Sequence, residues 1–428
     1  MPAVTLKYGR EGLRVDLPET PGLVGVLEPR HQPAVPDPLR AVVESLAEPI
    51  SSAPLVELAR GRANAVIVVS DNTRPVPNTL LLPPILSALE SAGVPSDAIT
   101  ILIATGIHRP NEGEELDALI GAEVARRYRV VNHYSRNDEE MVHAGEISGG
   151  TPVFVNRIYA EADLKILTGF IEPHMWAGYS GGRKSILPGI SSVKTLKYMH
   201  GPEMVADANA TYGKLEGNPF HEAGLQIMQR VGADFIVNVT LNTAKEVTGV
   251  YSGDPVVAHT QGAAALDPYS TTELDAPLDF VLTTNSGAPL DVNLYQTSKG
   301  IAGAAPVVKP GGDLVVASKC PEGLGGEEFV AALDEFTTPQ EWIRRALAHE
   351  FFYNDQWCAQ EIFKWMSDHP IHLFSDGISN DTIQRYGMHA VTDVQTTVAS
   401  LLSKHGSDAR WAIIPDGPLL VLRTAPSH

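Results

Sequence analysis

The chain has 428 residues, 43% of them hydrophobic and 19% charged, a composition that fits a globular enzyme of two or three domains. Its 51 acidic residues against 32 basic ones leave a formal charge of −19. A surface this acidic repels nucleic acid and anionic membranes unless a basic patch offsets it, and the basic pairs Arg126-Arg127 and Arg344-Arg345 lie scattered.

The first residues mix charges early, unlike a signal peptide, and no uncharged apolar run approaches the ~20 residues that span a bilayer. A soluble, cytoplasmic protein is expected. A short strand pair is expected at residues 4–8 and 13–16, followed by a proline-rich connection over 29–38. An alternation then begins. Residues 65–70 (AVIVVS) and 99–104 (ITILIA) are continuous apolar runs of the buried-strand kind, each followed by a helical stretch, 75–92 and 111–127. Further strands are expected at 129–132, 164–167 and 235–240. Asp, Pro, Ser and Thr cluster over 266–278 and mark a boundary. A second alternating unit follows, with strands at 280–284, 313–318 and 371–374 and helices at 293–305 and 391–405.

This order predicts an α/β fold of two domains with mostly parallel sheets and an active site in the cleft between them. Residues 1–268 form the expected N-terminal domain, carrying cofactor and catalytic histidines. Residues 269–410 form the C-terminal one, supplying substrate contacts. Periodicity leaves open whether the last segment, 411–428, returns to the first domain. In parallel sheets ligand groups sit in loops past the carboxyl ends of strands, and the loops 70–74, 106–109 and 169–174 each follow a strand candidate.

The first loop, Ser70-Asp71-Asn72-Thr73-Arg74-Pro75, reads as a capped helix start, with Arg74 adding an anion-binding fork. The second, Gly106-Ile107-His108-Arg109-Pro110, carries a histidine at a strand end. The third runs from Gly169 through Glu172, His174, Met175, Trp176, Tyr179, Ser180, Gly181, Gly182, Arg183 and Lys184 to Ile190. Its Ser-Gly-Gly-Arg-Lys stretch resembles a phosphate cradle without the spacing of either common fingerprint. So many reactive side chains in one loop point to use, and Lys184, crowded by Arg183, has the makings of a nucleophile. His200 follows, then Gly217-Asn218-Pro219-Phe220-His221-Glu222 capping a helix. In the second unit Gln296 and Lys299 share a helix face next to Tyr295. Only two cysteines occur, Cys320 and Cys358, which excludes a disulfide framework and suits a reducing compartment.

Taken together, SDNTRPVP (70–77), GIHRP (106–110), GFIEPHMWAGYSGGRKSILPGI (169–190), His200, GNPFHE (217–222) and YQTSK (295–299) resemble the nickel-pincer nucleotide-dependent lactate racemase family. The resemblance implies a pyridinium mononucleotide with two sulfur-bearing arms holding nickel. It implies Lys184 as covalent tether, His200 as metal ligand, and Asp71, Asn72, Thr73 and Ser180 through Arg183 around the nucleotide. It further implies His108 and His174 as paired proton carriers and Arg74, Gln296, Lys299 and Tyr295 on the substrate. Hydride leaves and returns at the substrate carbon by way of a 2-keto acid. Met175, Trp176 and Trp357 suggest an apolar wall suited to lactate or a short aliphatic 2-hydroxy acid rather than malate or a sugar acid. Implied partners are that small acid and the enzymes that make the cofactor, with no nucleic acid or membrane; a homodimer is left open. Two rival readings are a zinc hydrolase using His108, His174 and His200, and a non-catalytic hydroxy-acid carrier.

Overall fold

The computed structural model describes residues 3–425. A hairpin of β1 (Ala3–Leu6) and β2 (Leu13–Asp16) opens the chain, and β3 (Leu23–Val26) follows. Next come β4 (Ala65–Ser70), β5 (Ile99–Ala104), β6 (Arg129–Asn132), the hairpin β7 (Met141–Ile147) and β8 (Thr151–Asn156), and β9 (Leu164–Ile171). A two-residue ribbon, β10 (Pro173–His174) with β11 (Gly178–Tyr179), precedes β12 (Phe235–Leu241) and β13 (Val247–Gly253). The last seven strands are β14 (Thr271–Leu274), β15 (Leu278–Thr284), β16 (Val308–Ala317), β17 (Ile371–Phe374), β18 (His389–Ala390), β19 (Trp411–Ile414) and β20 (Val421–Thr424).

Two six-stranded sheets result, in the orders β13-β12-β9-β4-β5-β6 and β18-β17-β16-β15-β19-β3. All pairs are parallel except β12 with β13. In β4 and β5 only the last residue escapes full burial, which is why those runs are apolar without alternation. Helices cover both faces: Val69, Ile85 and Leu89 pack on one side of the first sheet, Val68, Ile186 and Ile227 on the other. The second sheet is likewise enclosed, with Trp411, Val398 and the opening hairpin on one face. A third body of core spans both units and includes Met175, Trp176, Phe220, Ile301 and Trp357.

Several elements differ from the pattern-based expectation. The helix expected over 111–127 is two, Gly113–Ile120 and Ala122–Arg127, because Gly121 adopts φ 90° between them. The strand expected at 164–167 runs on to Ile171, so the glycine-rich loop starts at Glu172. The last segment, 411–428, holds two strands in different sheets. β19 lies inside the second sheet between β15 and β3, while β20 pairs with β14. β3, read as part of the first 268 residues, is an edge strand of that second sheet. The physical reason is burial: Leu23 packs on the core formed by Trp411 and Ile413.

Candidate active site

The three loops meet because their strands are neighbours. β9, β4 and β5 lie side by side in register, so their carboxyl ends deliver Glu172–His174, Asp71–Arg74 and His108 to one place. From the second unit, the helix Leu294–Ala304 starts on Asn293, whose side chain accepts from the Gln296 amide, and presents Tyr295, Gln296 and Lys299. The helix Gln356–Met366 adds Trp357 and Cys358. Apart from Asn72, Glu172 and Pro173, these groups line a cavity of about 250 Å³, with Lys184, His200 and Ser180 on its first-unit side.

The two histidines are held differently. His108 Nδ1 lies 2.7 Å from Asp71 Oδ2, and Asp71, 3% exposed, also accepts from Thr73 Oγ1 at 2.6 Å. Burial alone would raise the Asp71 carboxyl, but the hydrogen bonds from His108 and Thr73 outweigh it and hold it below its ordinary value. An ionised Asp71 takes the Nδ1–H, which leaves the His108 Nε2 lone pair free. His174 Nδ1 instead accepts from the amides of Trp176 (3.3 Å) and Ala177 (3.2 Å), which puts the neutral ring's proton on Nε2. Burial, then the cations Lys184, Arg74 and Lys299, push His174 well below its ordinary value.

Lys184 sits among like charges. Burial, Arg183 and Arg74 lower its amine to about 7, so at neutral pH a large fraction is uncharged and nucleophilic. His200 Nδ1 faces Leu196 O at 3.1 Å, which leaves Nε2 open, and burial with Lys184 lowers the ring to about 3. Its imidazole is boxed by Trp357 (5.0 Å), Phe220 (5.4 Å) and Trp176 (5.5 Å) between ring centroids. A neutral, oriented imidazole of this kind has the free lone pair that metal ligation needs.

On the opposite wall, Lys299 Nζ donates to Gln296 Oε1 at 2.6 Å, and burial beside Arg74 lowers the amine to about 8. Tyr295 OH accepts from Trp357 Nε1 at 3.1 Å and lies 3.3 Å from Asp355 Oδ1. Arg74 Nη1 reaches the Thr73 carbonyl at 3.2 Å and otherwise faces the cavity.

Not every expected residue arrives. Asn72 faces a neighbouring cavity, and Gly182 and Arg183 line neither. Arg183, 2% exposed, turns inward: Nη2 donates to Ala177 O (2.7 Å) and Tyr179 O (2.9 Å), and Nη1 lies 2.9 Å from His259 Nε2. The space it occupies exists because Gly224 has no side chain; a Cβ there would stand 2.7 Å from Arg183 Cγ. Burial lowers the guanidinium to about 9. Ser180 Oγ is also committed, donating to Phe170 O at 3.0 Å and accepting from the Glu172 amide at 2.9 Å. The stretch read as a phosphate cradle is a turn whose cation braces the loop carrying His174 and Trp176, with Arg183 Nε buried and without a partner among the described residues. Gly181, at φ 81°, is required there, since a Cβ would meet Asn238 Oδ1 at 2.6 Å.

Two contacts of the glycine-rich loop escaped the sequence reading. Glu361, 2% exposed, accepts from Trp176 Nε1 (2.8 Å) and Trp365 Nε1 (2.7 Å), tying the second unit to the glycine-rich loop. Asn218, taken as a helix cap, is one, accepting from the His221 amide at 3.1 Å, and also donates to Trp176 O at 2.7 Å. Neither partner is predictable from local spacing.

Comparison with known proteins gives the family. The lactate racemase N-terminal domain family matches residues 8–213 and the lactate racemase C-terminal domain family residues 274–422. A lactate racemase of Lactiplantibacillus plantarum is 36% identical over 378 residues, covering 88% of this chain and 89% of that protein. One from Thermoanaerobacterium thermosaccharolyticum is 32% identical over 427 residues, covering 99% and 100%. The solved lactate racemase apoprotein from the latter organism superposes with a TM-score of 0.91 at 32% identity, over 99% of this chain and 100% of that one. A Thermotoga maritima protein at 19% identity shares the fold, with a TM-score of 0.69 over 90% of this chain and 98% of that one. Identity at this level over both units, with a superposition spanning the whole site, places the chain in the lactate racemase family, a family of isomerases.

Proposed function

We propose that the chain racemises lactate or a short-chain aliphatic 2-hydroxy acid, using a nickel-pincer nucleotide joined to Lys184. The observation that carries this reading is the single cavity facing His108, His174, Lys184 and His200 together. The donor set fits the group. Among the described residues no three His, Cys, Asp or Glu side chains gather into a metal site, whereas one open imidazole and one lowered amine suit a metal held mainly by an organic carrier. When bound, that carrier supplies reversible hydride acceptance at the substrate carbon.

The chain's own residues do the rest. Arg74 and Lys299 pair with the carboxylate, and Gln296 holds the Lys299 amine in place. Positioning of this kind lowers a barrier by up to ~7 kcal/mol or more. The Nε2 lone pair of His108, backed by Asp71, takes the hydroxyl proton of one enantiomer. His174 serves the other, which requires its proton on Nδ1 and the ring turned away from the two amides that now donate to it. Met175, Trp176 and Trp357, each at most 4% exposed, close the site to water and to bulky substituents. Two units are proposed to meet at this cleft, divided near residue 269.

No helix among the described residues is long and apolar enough to cross a membrane, and both cysteines are free and buried, which supports a cytoplasmic setting. The enzymes that build the cofactor are the proposed partners. The deciding experiment is intact mass of protein co-expressed with those enzymes, followed by a substrate panel read by chiral separation. An increment mapping to Lys184 and fastest turnover of lactate or 2-hydroxybutyrate are expected. No increment, or faster turnover of malate or gluconate, refutes the reading.

A further inference from the structure

Beside the catalytic cavity lies a second one of about 370 Å³. The two share a partition of Thr73, Arg74, Phe170, His174, Met175 and Lys299. Lys184, His200 and His108 face only the smaller cavity. The larger is walled by apolar side chains such as Leu241, Leu266 and Leu290, and its charged groups are uneven: Arg30, Arg74, Lys245 and Lys299 against the single carboxylate of Glu172. Arg30 and Lys245 are exposed at its outer end, while Arg74 and Lys299 stand on the partition.

None of these cations is ion-paired, although the buried Glu172 lies within electrostatic reach of Arg74 and Lys299. Arg30 donates to Pro268 O (3.2 Å), Arg74 to Thr73 O (3.2 Å) and Lys299 to Gln296 Oε1 (2.6 Å), all neutral oxygens. Among the described residues none of the four lies within ion-pair distance of a carboxylate, although acids outnumber bases by 51 to 32 in the chain. Like charges gathered around an apolar chamber repel one another unless an anion visits them, and they set a local positive field against a background of −19.

We propose that this second cavity is an outer binding site and entry chamber for the 2-hydroxy acid anion. Arg30 and Lys245 draw the carboxylate in from solvent, and Arg74 and Lys299 pass it across the partition to the histidines. The proposal rests on the substrate class argued above.

The test uses enzyme loaded with its cofactor. The double variant Arg30→Gln/Lys245→Gln, whose altered side chains are exposed and carry no fold contacts beyond one hydrogen bond, is assayed on lactate across ionic strength. At low salt its kcat/KM should fall about threefold to tenfold with kcat unchanged, and the difference should vanish by about 0.5 M salt. A wild-type kcat/KM and salt slope overturn the proposal, because the anion then enters past His108. A kcat that falls as far as kcat/KM overturns it as well. Calorimetric titration of lactate into unloaded protein gives a separate arm, in which the double variant should bind more weakly by a similar factor and equal affinities overturn the chamber. If loaded wild-type enzyme racemises no 2-hydroxy acid, the functional reading falls alone, and the titration still decides the chamber.

Discussion

Replacing Asp71 with Asn isolates what the buried carboxylate does for His108. The substitution keeps shape and one acceptor but removes the charge facing Nδ1 at 2.7 Å; Asp71 is 3% exposed but the His108 side chain is 47% exposed, so water screens the pair in part. A hydrogen bond to a charged group is worth about 1.5–3 kcal/mol, screening puts this pair at the lower end, and each 1.36 kcal/mol is a factor of ten in rate, so kcat should fall about tenfold. The two enantiomers have equal free energies, so kcat/KM must drop by the same factor in both directions. The assay is initial-rate racemisation by chiral separation, on protein whose Lys184 mass increment shows full loading. A fully loaded variant losing less than about threefold in kcat would refute the dyad.

Unloaded Lys184 should react with an amine-directed acylating reagent along a curve centred near pH 7, not near the ordinary 10.5, as peptide mapping would show. Asp313, fully buried, accepts from His372 (2.8 Å), Lys404 (2.7 Å) and His405 (2.6 Å), and Asp313→Ala should cost about 3 kcal/mol by urea unfolding at pH 7. Burial raises that carboxyl but the three hydrogen bonds win and hold it well below its ordinary value. Its stabilisation is therefore present above the unfolded pKa of about 3.9 and fades as pH falls below it, so the difference between wild type and variant should narrow under acid. Trp176→Phe strands one oxygen of buried Glu361, costing about 1–3 kcal/mol in stability, and the space it frees should shift preference from lactate toward 2-hydroxybutyrate in the chiral panel.

The sheets were legible because AVIVVS and ITILIA carry their burial in every residue, and β4 and β5 match those runs end to end. The site was legible in outline because loops after parallel strands converge, which brought Asp71, His108 and His174 together without any knowledge of angles. Direction was not legible. Arg183 and Lys184 are adjacent, yet one faces the interior and the other the cavity, a choice made by the absent side chain of Gly224 some forty residues away. Glu361 was invisible for a like reason, since its partner Trp176 lies in the other unit. The break at Gly121 was missed because periodicity continues across it while the backbone does not.

The pairing of β3 with β19 bears on how the chain is made. Leu23 aligns with Trp411, so roughly 385 residues must leave the ribosome before the early strand finds its neighbour. At about 5–20 residues per second that is a wait of some 20–80 s. The first sheet has all six of its strands long before then, and can mature around an amino-terminal segment that belongs elsewhere. β3 is short, four residues with Gly25 at φ 141°, which makes it a poor template for the wrong edge while it waits. The last strand of the second sheet to be synthesised thus fastens the first, and a nascent chain stalled before Trp411 would carry its opening residues unsheltered.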